Sequence, residues 1–161
     1  MYRLLIVDQD EDVCESIRYL VDWHQYDISS VLTVSSYGEA VNSIMDFPPH
    51  IALVDVELGE YWGYELAEHM WDAGVKTVFC MMSSREDFQY ARRSMRSGAR
   101  DYLLKPINTK ELRAFLERTI VRDLRGTVPE RTLSQPEVDP VLQVEYSQLS
   151  RITAKIILIV K

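Results

Sequence analysis

The sequence is short of the residues that staple or metallate small domains. Its two cysteines, Cys14 and Cys80, form no CxxC pair and are too few for a disulfide framework. Its three histidines, His24, His50 and His69, are scattered, with no cysteine partners at metal-site spacing, and read as surface or boundary residues. No apolar run exceeds five residues, far short of the ~20 a membrane-spanning helix needs. The first apolar run, Leu4–Val7, passes straight into acids and lacks the layout of a signal peptide. No glycine-rich loop follows it, which disfavours the nucleotide-binding α/β folds. A formal net charge of −7 disfavours nonspecific nucleic-acid binding by the whole chain. A reducing, cytoplasmic location fits these absences.

What is present is a core. Of 161 residues, 47% are hydrophobic, enough for one domain and a remainder. Residues 3–7, 31–34, 51–54, 77–82 and 101–104 are short continuous apolar runs, the pattern of strands buried on both faces. Between them lie helical patterns. Val13, Ile17, Leu20 and Val21 form one stripe, and residues 37–45 a short helix. Residues 64–71 form a third helix, stopped by Gly74, and Gly59 and Gly63 mark a loop before it. Residues 87–96 form a fourth, with Phe88, Ala91 and Met95 inward and Gly98 closing it. Thr109 reads as the N-cap of a fifth, whose stripe is Leu112, Phe115, Leu116, Thr119 and Ile120. The alternation predicts an α/β fold: a doubly wound five-stranded parallel sheet with helices on both faces. Its site lies beyond the carboxyl ends of the strands.

Those ends carry Asp8, Asp55 and Ser83, and Lys105 follows the fifth run. In the acidic stretch Asp8, Asp10, Glu11 and Asp12, the last two suit the start of a helix, capping its N–H groups and matching its dipole. Asp8, at the strand end, points to the crevice instead, beside Asp55. Two adjacent carboxylates repel unless a cation bridges them. A hard divalent ion such as Mg²⁺ resolves that, and Lys105 adds a fixed positive charge. Carboxylates, Mg²⁺, an ammonium and a hydroxyl suit phosphoryl transfer to a carboxylate.

The stretches LLIVD at 4–8, ALVDVELGEYWG at 52–63, MMSS at 81–84 and SGARDYLLKP at 97–106 carry a family likeness. The chain over residues 2–121 resembles the receiver domains of two-component response regulators, which have a flavodoxin-like fold. The resemblance implies that Asp55 is the phosphoacceptor, phosphorylated by a sensor histidine kinase with Mg²⁺ as cofactor. It implies that Lys105 pairs with the phosphoryl group and that Ser83 is the switch hydroxyl. Tyr102 is then the aromatic that turns inward when Ser83 moves. Metal ligands would be Asp8, Asp55 and the backbone carbonyl of Glu57, with a cis bond between Lys105 and Pro106. Gln9 stands where the family has a second acid, a weakened metal position for which a water or Asp10 would partly substitute. Leu58-Gly59 replaces the usual Met-Pro, and Trp62 replaces an acid before the loop glycine. Such a domain is not an enzyme beyond self-phosphorylation and self-dephosphorylation.

The same resemblance implies a homodimer through the fourth helix, fifth strand and fifth helix. Arg92, Arg93, Arg96 and Arg100 would face Asp101, Glu111 and Glu117. The body, residues 1–121, holds 20 acids and 12 bases, so the acidity belongs to it. Residues 122–144 contain Gly126, Pro129, Pro136 and Pro140 and read as a linker. Residues 145–161 form a tail helix with Leu149, Ile152, Ile156, Ile159 and Val160 on one face. The segment SQLSRITAKIILIVK resembles the opening of an AraC-type helix-turn-helix domain, implying a receiver whose transcriptional, DNA-binding effector domain is missing. Two other readings compete. One is a degenerate receiver acting as a phosphorylation-independent interaction module. The other is a haloacid-dehalogenase-like phosphatase, whose Asp-x-Asp motif Asp8-Gln9-Asp10 imitates; the acidic pair that family carries later is missing here.

Overall fold

The computed structural model describes residues Met1–Arg125. The linker and tail helix expected at 122–161 fall outside these residues from 126 onward. The described elements are β1 (Tyr2–Val7), α1 (Glu11–Arg18), β2 (Ile28–Val34), α2 (Tyr37–Ser43), β3 (Ile51–Asp55), β4 (Glu57–Leu58), β5 (Tyr61–Trp62), α3 (Gly63–Asp72), β6 (Val78–Ser83), α4 (Phe88–Arg96), β7 (Asp101–Leu104) and α5 (Thr109–Thr119). A short 3₁₀ turn, Trp23–Tyr26, precedes β2, and a π turn, Ile120–Leu124, follows α5.

Five strands form one parallel sheet in the order β2-β1-β3-β6-β7. Alternate residues of each strand feed two cores. Leu5, Val7, Ala52, Val54, Phe79 and Met81 face α2, α3 and α4, meeting Ala40, Leu66, Met70 and Ala91. Leu4, Ile6, Ile51, Leu53, Cys80 and Met82 face α1 and α5, meeting Ile17, Leu112, Phe115 and Leu116. Strands covered on both faces need the continuous apolar runs seen in the sequence. Each buried Leu, Ile, Val or Phe contributes about 1.5–3 kcal/mol. The chain winds outward in both directions from β1 and β3. The crevice between their carboxyl ends is therefore the topological switch point.

Several local expectations are corrected. The cap of α1 is Asp10, whose carboxylate accepts the N–H groups of Asp12 and Val13; Glu11 and Asp12 occupy the first turn. That helix stops at Arg18, because the Trp23 indole N–H takes the Arg18 carbonyl at 2.8 Å; Leu20 and Val21 pack from the turn beyond. Asn108, not Thr109, caps α5 through Lys110 and Glu111. Phe88 opens α4 on its outer side and is 42% exposed, while the buried inner positions are Ala91 and Ser94. The Ser94 hydroxyl is buried there with no partner. The loop marked by Gly59 and Gly63 closes as a two-residue-per-strand antiparallel hairpin, β4–β5. The stripe of α5 is buried as expected, from Leu112 to Ile120.

Candidate functional site

Asp8 follows β1 and Asp55 ends β3, side by side on paired parallel strands. Both are buried, as is Ser83 at the end of β6. Lys105, just past β7, spans the crevice. Its Nζ donates to Asp8 Oδ2 and to Asp55 Oδ2, each at 2.8 Å. The other oxygen of each carboxylate accepts a backbone N–H two residues on: Asp10 to Asp8 at 2.9 Å, and Glu57 to Asp55 at 3.1 Å. The four expected residues Asp8, Asp55, Ser83 and Lys105 thus gather at one sheet edge, and the Lys105–Pro106 peptide is cis.

One ammonium shared between two carboxylates compensates neither fully. Burial pushes the Asp55 carboxyl above its ordinary range, against the hydrogen bonds from Lys105 and Glu57. Burial pulls the other way on Lys105, but its two carboxylate bonds outweigh it and hold the ammonium above its usual range. The cysteines do no chemistry here. Burial raises the Cys14 thiol to about 11 and the Cys80 thiol well above its usual value, so neither is a thiolate.

Ser83 Oγ accepts the Arg85 N–H at 3.1 Å. Tyr102 is already turned in, 4% exposed, with its hydroxyl donating to the Arg85 carbonyl at 3.0 Å. It belongs to the same core cluster as Met81 and Phe79. Gly63, at the start of α3, is needed close by. A Cβ there would lie 2.2 Å from the Asp55 carbonyl oxygen.

For a divalent cation the donors are all hard oxygens: two carboxylates, the Glu57 carbonyl and the Gln9 amide, a set that suits Mg²⁺. The charge is modest, since Lys105 already offsets one of two carboxylates. Gln9 is exposed and its Nε2 lies 3.2 Å from where a Gly59 Cβ would sit, so the amide reaches across to the hairpin. Asp10 is exposed and engaged in the cap of α1. It therefore cannot serve beside Asp8 as the second acid of an Asp-x-Asp phosphatase. Among the described residues no group of three or more His, Cys, Asp or Glu is arranged to hold a metal.

Asp8, Asp55, Ser83, Tyr102 and Lys105 thus lie on or just past neighbouring parallel strands, with Lys105 joining the two carboxylates. The model described as response regulator receiver domain matches residues 4–117. The chain belongs to the receiver-domain family of two-component response regulators. Relatives include the transcriptional regulatory protein YesN of Bacillus subtilis, 27% identical over 131 residues, which are 81% of this chain and 36% of that protein. HptR of Staphylococcus aureus, also a transcriptional regulatory protein, is 25% identical over 150 residues, 91% of this chain and 58% of its own length. The receiver-family chain thus spans about a third to three fifths of these relatives. Similar solved structures include the REC domain of AraT, a response regulator from Geobacillus stearothermophilus. It is 23% identical with a TM-score of 0.67, covering 73% of this chain and 91% of that one. A two-component response regulator from Clostridium difficile, 22% identical, has the same TM-score over 78% and 100% of the two chains. These likenesses show the receiver fold. No helix among the described residues is long and apolar enough to cross a membrane.

Sequence reasoning missed a second cluster at the rim of this receiver. The Arg85 guanidinium lies 3.5 Å from Glu57 Oε1 and 6.0 Å over the Tyr90 ring, and the Tyr90 hydroxyl donates to the same Glu57 oxygen at 3.1 Å. Trp62 packs on Tyr64 and Tyr90, and Tyr61 stacks on Tyr37. Glu57 was singled out only for its carbonyl. The available signal was positional: Glu57 and Arg85 each stand two residues past a polar strand end, Asp55 and Ser83, on neighbouring strands.

On the proposed dimer face, Arg100 pairs with Asp123 at 2.6 Å, and Arg118 pairs with Asp101, both within one chain. Arg93 reaches the Tyr64 hydroxyl at 3.3 Å.

Proposed function

We propose that this receiver is a phosphorylation-activated switch in which Asp55 accepts a phosphoryl group from a sensor histidine kinase. The observation that carries this reading is Lys105, bonded to Asp8 and Asp55 together at the end of the parallel sheet. In the transfer an Asp55 oxygen bonds to phosphorus as the phosphorus–nitrogen bond of a phosphohistidine breaks. The imidazole leaves as the neutral ring, taking a proton from solvent. Lys105 holds Asp55 in place and offsets negative charge on the transferring oxygens. The walls of the buried crevice limit competing water. Mg²⁺ would be held by Asp8, Asp55, the Glu57 carbonyl and Gln9, with at most a minor part for Asp10, and would supply further neutralisation of phosphoryl charge. Ser83 and Lys105 would bond the new phosphoryl oxygens and favour the active arrangement, with Tyr102 as the inward aromatic.

The output is transcriptional control through an AraC-type DNA-binding domain beyond this chain, acting in the cytoplasm. Dimerisation would use α4, β7 and α5. The ion pairs Arg100–Asp123 and Arg118–Asp101 within one chain would have to be retained or exchanged there. Gln9 favours a second reading, an interaction module that is never phosphorylated, because it removes a charge from the metal position. The test is intact-mass measurement after incubation with acetyl phosphate and Mg²⁺. The switch reading expects one added phosphoryl group on wild type and none on Asp55→Ala. An unmodified wild type would establish the interaction module instead. Gln9→Asp is expected to lower the Mg²⁺ concentration needed for half-maximal labelling. No change would remove Gln9 from the metal position.

A further inference from the structure

Arg85 makes four contacts through three parts of itself. Its N–H binds Ser83, its carbonyl binds Tyr102, its guanidinium pairs with Glu57, and the same group lies over Tyr90. Glu57 in turn donates its own N–H to Asp55. Asp55, Ser83, Tyr102 and α4 are thus joined through one residue. The side-chain link is the weak one. Arg85 and Glu57 are 61% and 37% exposed and 3.5 Å apart, and pairs so screened by solvent contribute little to stability. A phosphoryl group on Asp55 would replace a single negative charge with roughly −2. Lys105 is already divided between two carboxylates. The Arg85 guanidinium rests on a replaceable partner, Glu57, two residues past Asp55 and bonded to it through its own N–H.

We propose that Arg85 is a second anion-binding residue of this site: its guanidinium leaves Glu57 for the phosphoryl group on Asp55 and so withdraws its charge from the Tyr90 ring on α4. This deepens the phosphoacceptor reading of Asp55 and rests on it. The guanidinium exchanges a solvent-screened carboxylate for a more highly charged, multidentate acceptor. Tyr90 and Glu57 lose their shared cation, and the start of α4 is left tied to the loop after β3 by the Tyr90–Glu57 hydrogen bond alone. The Arg85 main chain keeps Ser83 and Tyr102 informed of the change.

The test uses the full 161-residue chain. Arg85→Gln is expected to slow phosphoryl uptake from acetyl phosphate roughly tenfold to a hundredfold, the range of one hydrogen bond to a charged group. Arg85→Lys keeps the charge and loses the fork, and falls between. Glu57→Gln removes the resting partner and is expected to speed uptake up to about fivefold. A purely structural pair predicts that both sides of it slow uptake when cut. Independently, the Arg85 Nε–Hε resonance, identified by its loss in Arg85→Lys, is expected to move when beryllofluoride and Mg²⁺ are added. An Arg85 resonance that stays put while others near Asp55 shift, with Arg85→Gln labelled at the wild-type rate, overturns the proposal and leaves the phosphoacceptor intact. No labelling of wild type and no beryllofluoride response overturns both.

Discussion

Two charged triads lie within a few residues of each other in this receiver, and they are built to opposite ends. In the inner one, Lys105 binds Asp8 and Asp55 at 2.8 Å, with all three side chains at most 13% exposed. In the outer one, Arg85 meets Glu57 at 3.5 Å and Tyr90 shares the same oxygen, with the two ions 61% and 37% exposed. The inner triad is costly to disrupt at Lys105, whose loss leaves two buried carboxylates without a cation. The outer triad gains little over hydration and is therefore free to rearrange. Permanence and mobility are assigned by burial, using the same kinds of side chain.

Cutting the inner triad gives the largest effect. Lys105→Met strands two carboxylates and is expected to destabilise the fold by about 3–5 kcal/mol at neutral pH, read from urea midpoints. With its folded-state affinity for protons raised, Lys105 contributes stability fully below its ordinary value of 10.5 and loses it as pH rises through its folded value. Stability of the wild type should therefore fall on the alkaline side, and Lys105→Met should not show that fall. Next is Gly63→Ala, whose added methyl meets the Asp55 carbonyl. It should cost about 1–3 kcal/mol and shift the Asp55 amide resonance, which a distant core change would leave alone.

Asp55→Asn should act in the opposite direction. Its raised carboxyl favours the folded state most below the ordinary carboxylate range, and that contribution is lost as pH rises through the folded value. At neutral pH the ionised group therefore costs stability. Asp55→Asn is expected to raise the urea midpoint at pH 7, to be near neutral at pH 3, and to recover part of the Lys105→Met loss. The smallest effect belongs to the outer triad: Glu57→Gln should change stability by less than about 1 kcal/mol. A larger loss there would mean that the two triads are not differently built.

The strands were legible because a strand buried on both faces must be apolar throughout. Leu4–Val7, Ile51–Val54 and Val78–Met82 leave no other reading in a βα alternation. The polar residues that interrupt those runs were legible for the same reason: Asp8, Asp55 and Ser83 end strands whose ends share one edge. Helix ends were less so. Asp10, Glu11 and Asp12 are all able to cap, and backbone geometry rather than composition selects Asp10. Phe88 fits the apolar stripe of α4, yet it stands at the first turn and is exposed. Arg85 was invisible because a surface arginine carries no periodic signal; its part comes from what β3 and β6 bring beside it.

The hairpin β4–β5 has a consequence for measurement. Tyr61 lies against α2, and Trp62 lies against α3 and α4 through Tyr64 and Tyr90. The other two tryptophans of the chain are stationed elsewhere: Trp23 in the core under α1, and Trp71 edge-on to Phe79 at the far end of α3. The molecule therefore carries three indoles at three separate stations. Replacing Trp23 and Trp71 by Phe leaves one indole, Trp62, in contact with Tyr90 on α4, so that a single optical trace follows that helix in time.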